Sequence, residues 1–452
     1  MPHSTDSSRR PGRRFGSPRD RSRFLRSAGA IGLACALAAG PARATEALGP
    51  SPPLDRTYFG MHIHNLGSRS TAWPATVDFG ALRLWDTYTG WLNLEPRRGE
   101  WQFEQLDFIV AEANRRAVPV LLTLGSTPRW ASARPDEPCS YGTGCAAEPR
   151  DLADWERYVR TVATRYRGRI ECYEVWNEFQ LPRTEDPTDI RRAIHFYSGD
   201  VRQLVALARA AHAQIKAADP GACVASPSVH SAGDWIGKLD RYFAAGGAAV
   251  TDVVSFHFYA RTPEDVPRLV RAVRAVMRKH GLADKPLWNT EAGFSIDDPN
   301  EPESAGGLPL QTAAAYVPRS LVLAAAAGVS RFYWYAWDNR KMGLAANFGR
   351  QPNLAATAFV AASRWIRDTS VKACRRDDRT LLWVCELAGA DERAWIVWSA
   401  IPAAAVPLPL PADAAYVEDL RGNRMPADAE HRTLTVRSEP VKIGFRPGPS
   451  AR

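Results

Sequence analysis

Between residues 58 and 368 one rhythm recurs: a short β-rich apolar run, then a stretch with apolar residues at three- and four-residue spacing. Eight runs stand out. They are YFGMHIH from Tyr58, ALRLWD from Ala81, VPVLLTLG from Val118, IECYEVWNE from Ile170, CVASPSVH from Cys223, DVVSFHFYA from Asp252, PLWNTEAGF from Pro286 and RFYWYAWD from Arg331. Strands alternating with helices indicate a parallel sheet, and eight units in about 300 residues fit a closed (β/α)8 barrel better than an open sheet. The open, doubly wound alternative usually carries a Gly-rich phosphate loop in its first turn, and FGMHIHNLG is not G-x-G-x-x-G. The barrel is expected over 45–368.

From residue 369 the pattern changes to alternation without helices. LLWVCEL, RAWIVWSA, AAYVEDL, RTLTVRS and VKIGF are separated by Pro, Gly, Asp and Asn, which predicts a small antiparallel, sandwich-like β domain over 369–452. Two long connections, 126–150 and 295–308, leave the carboxyl ends of the third and seventh strands. That rim carries the active site in barrels of this kind, so the two loops are expected to wall a cleft; the alternative is that they are tolerated surface insertions.

Nine arginines crowd the first 44 residues around an uncharged apolar run at 28–40, followed by Ala42-Arg43-Ala44. This is the layout of a secretion signal with cleavage after Ala44, and the run is shorter than the ~20 residues a membrane span needs. The stretch from Arg21 to Arg26 resembles a twin-arginine signal, but Ser22 separates its first two arginines, so the export route stays open. Cys35 lies inside the apolar run rather than after it, which argues against a lipid anchor. The remaining chain carries 49 basic and 47 acidic residues. Near neutrality gives no reason to expect a nucleic-acid or anionic-membrane partner. Six cysteines remain, an even number suited to an oxidising compartment. Cys139 with Cys145 and Cys374 with Cys385 are the favoured pairs; Cys172 and Cys223 can meet only if their strands are neighbours.

Acidic and polar residues gather at the ends of several strands. Arg83 falls on the second, Asn177 and Glu178 end the fourth, His257 and Tyr259 sit on the sixth, Glu291 ends the seventh and Trp337 closes the eighth. A carboxylate at the mouth of an apolar barrel must be paired, hydrogen-bonded or neutralised, which makes each of these a functional candidate. His257 and Tyr259, two apart, face the same side of their strand. Asn177 and Glu178 are adjacent, so the chain must bend if both are to reach the cleft.

Trp176-Asn177-Glu178 and Trp288-Asn289-Thr290-Glu291 resemble the glycoside hydrolases of clan A, whose acid/base follows an Asn at the end of the fourth strand and whose nucleophile ends the seventh. WLNLEPRRGEWQFEQLD from Trp91 resembles the clan's second-strand loop, and SFHFY from Ser255 its sixth strand. The resemblance covers about the whole barrel. With the trailing β domain it looks closest to family 39 and to the family-39-like hydrolases associated with bacterial exopolysaccharide biosynthesis.

The resemblance implies a retaining mechanism with two carboxyls and no metal or cofactor. Glu291 is then the ionised nucleophile, its charge favoured by the Arg83 guanidinium and a hydrogen bond from Tyr259. Glu178 is the acid/base, its pKa raised by partial burial and by Glu291. Asn177 donates to the sugar 2-hydroxyl, and His257 and His64 hold other hydroxyls. Of fifteen tryptophans most must be core; Trp337 is assigned to the cleft, with Trp130 as a second candidate. Glu95 is assigned to a scaffold ion pair and Glu174 to the barrel interior. The partner implied is an oligosaccharide or polysaccharide; the oligomeric state is left open.

Three other readings compete. Glu178 or Glu291 could be structural ion-pair partners. His62, His64, His230, His257 and Asp338 superficially resemble the ligands of a metal-dependent amidohydrolase, although the fourth strand has no lysine to bridge two ions. A non-catalytic polysaccharide-binding protein on the same scaffold would have less reason to keep both carboxylates.

Overall fold

Eight parallel strands form one sheet in a computed structural model of the chain. The structure describes residues 47–446 apart from 68–71, 182–195, 232, 391, 429 and 431; the expected export signal, 1–44, lies outside the described residues. The strands are β1 (Phe59–His62), β2 (Ala81–Leu84), β3 (Val120–Leu124), β4 (Cys172–Val175), β5 (Cys223–Ala225), β6 (Val254–Phe256), β7 (Leu287–Ala292) and β8 (Arg331–Trp334). Each falls inside one of the eight apolar runs. β1 pairs with both β2 and β8, and pairing continues to β5 on one side and β6 on the other. Parallel bridges from Ala225 to Val253 and from His230 to His257 close that last seam, so the ring is a (β/α)8-type barrel.

The strand period of two sorts the interior into layers. Ala81, Leu121, Cys172, Ala225, Val253, Trp288 and Tyr333 form an apolar plug. Two residues further along their strands come Arg83, Thr123, Glu174, Ser255 and Thr290, all buried and polar. The barrel is apolar below and polar toward the carboxyl ends, where the cleft opens.

Among the described residues, seven helices of ten or more residues surround the sheet: α1 (Glu104–Arg115), α2 (Leu152–Arg165), α3 (Val201–Ala218), α4 (Trp235–Ala244), α5 (Val266–Lys279), α6 (Leu310–Ala326) and α7 (Leu354–Ile366). α5 shows the governing pattern: its buried side includes Val266, Leu269, Val270, Val273, Val276 and Met277, at helical spacing. Asp200 and Gln203 form a reciprocal capping box that fixes the start of α3. One unit departs from the expected rhythm. No helix lies between β1 and β2 among the described residues, where Gly67 and Pro74 interrupt any helical run.

The C-terminal region is antiparallel, as the alternation predicts. Strands β9 (Ser370–Arg376), β10 (Leu382–Ala388), β11 (Arg393–Ser399), β13 (Ala414–Glu418), β14 (Arg424–Pro426) and β16 (Val441–Phe445) form a six-stranded sheet in the order β9-β10-β11-β16-β13-β14. A two-stranded ribbon of β12 (Val406–Pro409) and β15 (Thr433–Val436) accompanies it, and Leu382, Val397, Val436, Ile443 and Phe445 share an apolar cluster. α6 packs against both α7 and β9. That double contact explains why its alanine-rich sequence is buried on nearly every side. The chain just before the barrel joins the same sheet: Leu48, Ser51 and Leu54 donate backbone hydrogen bonds to the carbonyls of Cys374, Val371 and Thr369.

Three disulfides are present, Cys139–Cys145, Cys172–Cys223 and Cys374–Cys385. Cys172 and Cys223 are in-register partners on β4 and β5, which meets the condition the sequence left open. Each such cross-link is worth about 2–4 kcal/mol. Replacing Cys172 and Cys223 together by Ala is therefore expected to lower Tm by roughly 4–10 °C in thermal scans, and reductant to lower it in the parent protein. Free thiols at these six positions in oxidised protein would contradict the assignment.

Candidate active site

Two backbone irregularities build the site. β7 carries one extra residue relative to β8, since Phe332 pairs with Asn289 but Trp334 with Ala292. Such a bulge re-aims side chains next to functional sites. Here it lets Thr290 contact Ser255 inside the barrel while its neighbour Glu291 reaches Arg83 and Tyr259. At the end of β4, Trp176 and Glu178 have φ of +70° and +38°. This is the bend that adjacent Asn177 and Glu178 required. Left-handed backbone is costly for an aromatic residue and persists only where the surroundings impose it. Trp176 is fully buried among Trp155 and Tyr197, with its indole N–H donated to the Phe196 carbonyl.

Arg83 is the hub. Its Nη1 donates to Glu291 Oε2 at 2.9 Å, its Nη2 to Asn177 Oδ1 at 2.6 Å, and Nε and Nη2 both to Glu174 Oε2. Glu174 also accepts from Thr123 and Ser255. The Arg83–Glu174 pair has no solvent exposure, and a buried pair of this kind is tolerable only when its remaining hydrogen-bonding capacity is used, as it is here. Arg83 is thereby fixed in place beneath the cleft. Because its oxygen is taken, Asn177 has its amide nitrogen as the remaining donor.

Glu178, His257 and Glu291 converge above this hub. One ligand-type atom from each lies within 4.8 Å of the others. His257 Nδ1 is 2.9 Å from Glu178 Oε1 and 3.7 Å from Glu291 Oε1, and the Tyr259 hydroxyl donates to Glu291 Oε1 at 2.7 Å. Burial pushes His257 down to about 4, so its ring is neutral at pH 7. Either its Nδ1–H donates to ionised Glu178 or protonated Glu178 donates to Nδ1; both place one proton between the two groups. Burial also pushes Glu291 above its ordinary value, with the Glu178 charge adding to the rise and His257, Arg83 and Tyr259 opposing it. Arg83 and Tyr259 favour the ionised form, as expected, and burial acts against them. A raised acid is protonated earlier as pH falls. The acid limb of kcat/KM is therefore expected above the usual carboxylate range. With an activated aryl glycoside it should move to lower pH in Glu178→Gln, where the like charge is gone.

Most of the expected residues meet here: Arg83, Asn177, Glu178, His257, Tyr259 and Glu291. One placement changes. His257 is fully buried with Nδ1 2.9 Å from Glu178 Oε1, and its Nε2 has no hydrogen-bond partner among the described residues. Trp337, expected in the cleft, is 1 % exposed and donates its indole N–H to the Gly349 carbonyl. The chain turns after β8, and the aromatic that faces the cleft is Tyr335. His64 packs against Tyr335 with ring centres 4.9 Å apart and the rings tilted by 57°, and its backbone N–H donates to Asp338. Trp130 is tied to the scaffold through the Glu95 carbonyl, and Glu95 is indeed a buried ion-pair partner, of Arg157. The sequence reading missed Asp86, which accepts hydrogen bonds from Tyr335 and Tyr141.

The amidohydrolase pattern does not assemble. His62 Nε2 is bonded to the Thr290 carbonyl, and Asp338 accepts from the backbone of His64 and Asn65. Among the described residues the one cluster with metal-ligand spacing is Glu178, His257 and Glu291. Glu178, Glu291, Tyr259, His230 and Tyr335 line an open cleft of about 560 Å³.

Comparison with solved structures shows that the barrel fold is shared with glycoside hydrolases. The chain is similar to a family 39 glycoside hydrolase from Bacteroides cellulosilyticus (TM-score 0.65, 16 % identity, 88 % of this chain and 83 % of that one). It is also similar to a glucosidase from Croceicoccus marinus (TM-score 0.59, 16 % identity, 88 % and 98 %) and to a GH30 endoxylanase from Clostridium papyrosolvens (TM-score 0.59, 13 % identity, 88 % and 98 %). No family model and no curated protein matches the sequence.

Proposed function

We propose that the protein is a secreted retaining glycoside hydrolase that cleaves β-linked O-glycosidic bonds in an oligo- or polysaccharide, such as a bacterial exopolysaccharide. The observation that carries this reading is the proximity of Glu178 and Glu291, within 4.8 Å at their nearest grouped atoms, in a barrel mouth of glycosidase type. Retaining pairs stand ~5–5.5 Å apart, whereas inversion needs ~6.5–9.5 Å to admit a water between carboxyl and sugar.

In the first step the Glu291 carboxylate bonds to the anomeric carbon, the glycosidic C–O bond breaks, and the leaving oxygen takes the proton of Glu178. In the second, Glu178 takes a proton from water as that water's oxygen displaces Glu291 from the anomeric carbon. Arg83 and Tyr259 hold Glu291 in place, and His257 keeps a proton available beside Glu178. Export is supported by the N-terminal pattern and by the three disulfides. No helix among the described residues is long and apolar enough to cross a membrane.

A metal-dependent reading has one observation in its favour, because Glu178, His257 and Glu291 could jointly hold a cation. One experiment separates the two. Purified protein is assayed on aryl glycosides and bacterial exopolysaccharides before and after exhaustive chelation. Unchanged hydrolysis is expected; loss restored by zinc or manganese would favour the metal.

A further inference from the structure

A second cavity, of about 380 Å³, lies at the ends of β2 and β3, lined among others by Trp85, Asp86, Tyr88, Asn93, Ser126 and Tyr141. It is joined to the catalytic cleft through one hydrogen bond. Tyr335, in the wall of the cleft with Glu178 and Glu291, donates its hydroxyl to Asp86 Oδ2 at 2.9 Å. Tyr141 donates to the other oxygen of Asp86. It stands on a short hairpin, Pro138–Cys139 paired with Gly142–Thr143, clipped by the Cys139–Cys145 disulfide.

Three independent features mark this cavity as a place where something binds. Among the described residues Asp86 makes no ion pair and neither cavity wall contains Lys or Arg, so there its carboxylate meets neutral donors and keeps acceptor capacity. Tyr88 and Tyr141 are 51 % and 40 % exposed, two of the few large hydrophobic side chains left open to solvent. Asp86, Tyr88 and Ser126 all have φ near +60°, and strained backbone at non-glycine residues gathers at ligand sites. Open aromatic faces beside hydroxyl, amide and carboxylate groups match a pyranose, which has apolar C–H faces and a polar edge.

We infer that this cavity is a second sugar site, in which Asp86, held by Tyr141 and Tyr335, accepts hydrogen bonds from a hydroxyl or amino group of the unit next to the one being cleaved. The inference rests on the glycosidase reading and adds a substrate class to it. A neutral or amine-bearing glycan is accepted. A uronic acid unit, whose carboxylate would face Asp86 with no cation among the described wall residues, is rejected.

The test is the ratio of kcat/KM on an oligosaccharide to kcat/KM on a nitrophenyl monoglycoside of the same sugar. Asp86→Asn and Tyr141→Phe are each expected to lower that ratio about tenfold or more, chiefly through KM of the oligosaccharide. Parallel losses on both substrates, or an unmoved ratio, would overturn the site. Calorimetry reads it without turnover: neutral oligosaccharide should bind Glu291→Gln, and adding Asp86→Asn should weaken that binding by a similar factor. Equal binding by the two overturns this inference, whereas clear binding with no hydrolysis by the parent protein overturns the glycosidase reading instead.

Discussion

With Gln in place of Glu291, hydrolysis of every glycoside is expected to fall by about 10⁴- to 10⁶-fold. An amide cannot form the glycosyl ester, and no other described carboxylate can take over: Glu174 is locked beneath the cleft by Arg83, Thr123 and Ser255. The loss should be the same for good and poor leaving groups, because bond formation to the anomeric carbon fails in both. Circular dichroism and Tm should stay near the parent, since the Gln carbonyl can still accept from Arg83 or Tyr259. The parent enzyme itself should give product of retained anomeric configuration in the first minutes, read by proton NMR. Inverted product would overturn the double displacement even if Glu291 proved essential.

Glu178→Ala should behave differently. Proton transfer contributes about 10²- to 10⁴-fold, and that factor should be lost in full only where the leaving group needs protonation. With a dinitrophenyl glycoside the first step should survive, and the glycosyl-enzyme should accumulate because the base for water is gone. Azide needs no base. It should restore turnover and, from a β-glycoside, yield the β-glycosyl azide. A variant that azide fails to rescue, or that loses activity equally on all leaving groups, would remove Glu178 from the acid/base role. Glu178→Gln keeps an acceptor for His257 Nδ1, now 2.9 Å from the Glu178 carboxylate, which makes it the better variant for pH profiles.

The barrel strands were legible because a strand buried on both faces must read as an apolar run. Every such run between residues 58 and 338 holds one strand of the ring. The contacts of Tyr259 and Arg83 with Glu291 were legible for a related reason, since strand ends in a parallel barrel point to one mouth. What the sequence does not display is backbone irregularity. The β7 bulge aims Glu291, positive φ at Trp176 and Glu178 aims the Glu178 carboxyl, and neither has a composition signal. Trp337 shows the converse error: counting by twos from Tyr333 through Tyr335 places it inward, but the ladder ends at Trp334 and the chain turns it into the core. The depth that raises Glu291 depends on everything packed around it. The Asp86–Tyr141 contact joins residues 55 apart across two loops, and only the flanking cysteines hint that Tyr141 is held anywhere in particular.

The pairing of Leu48, Ser51 and Leu54 with β9 bears on the order in which the molecule can be completed. Ser51 Oγ accepts from the Val371 N–H across 320 residues of chain. Residues 48–54, made before the barrel, must therefore wait for these partners until the whole barrel sequence has followed them. Closing so long a loop costs only slowly more with length, but it cannot happen early. The barrel then has to assemble before its own leading segment is sewn down. In an unfinished molecule that segment is expected to be among the last to gain protection from hydrogen exchange.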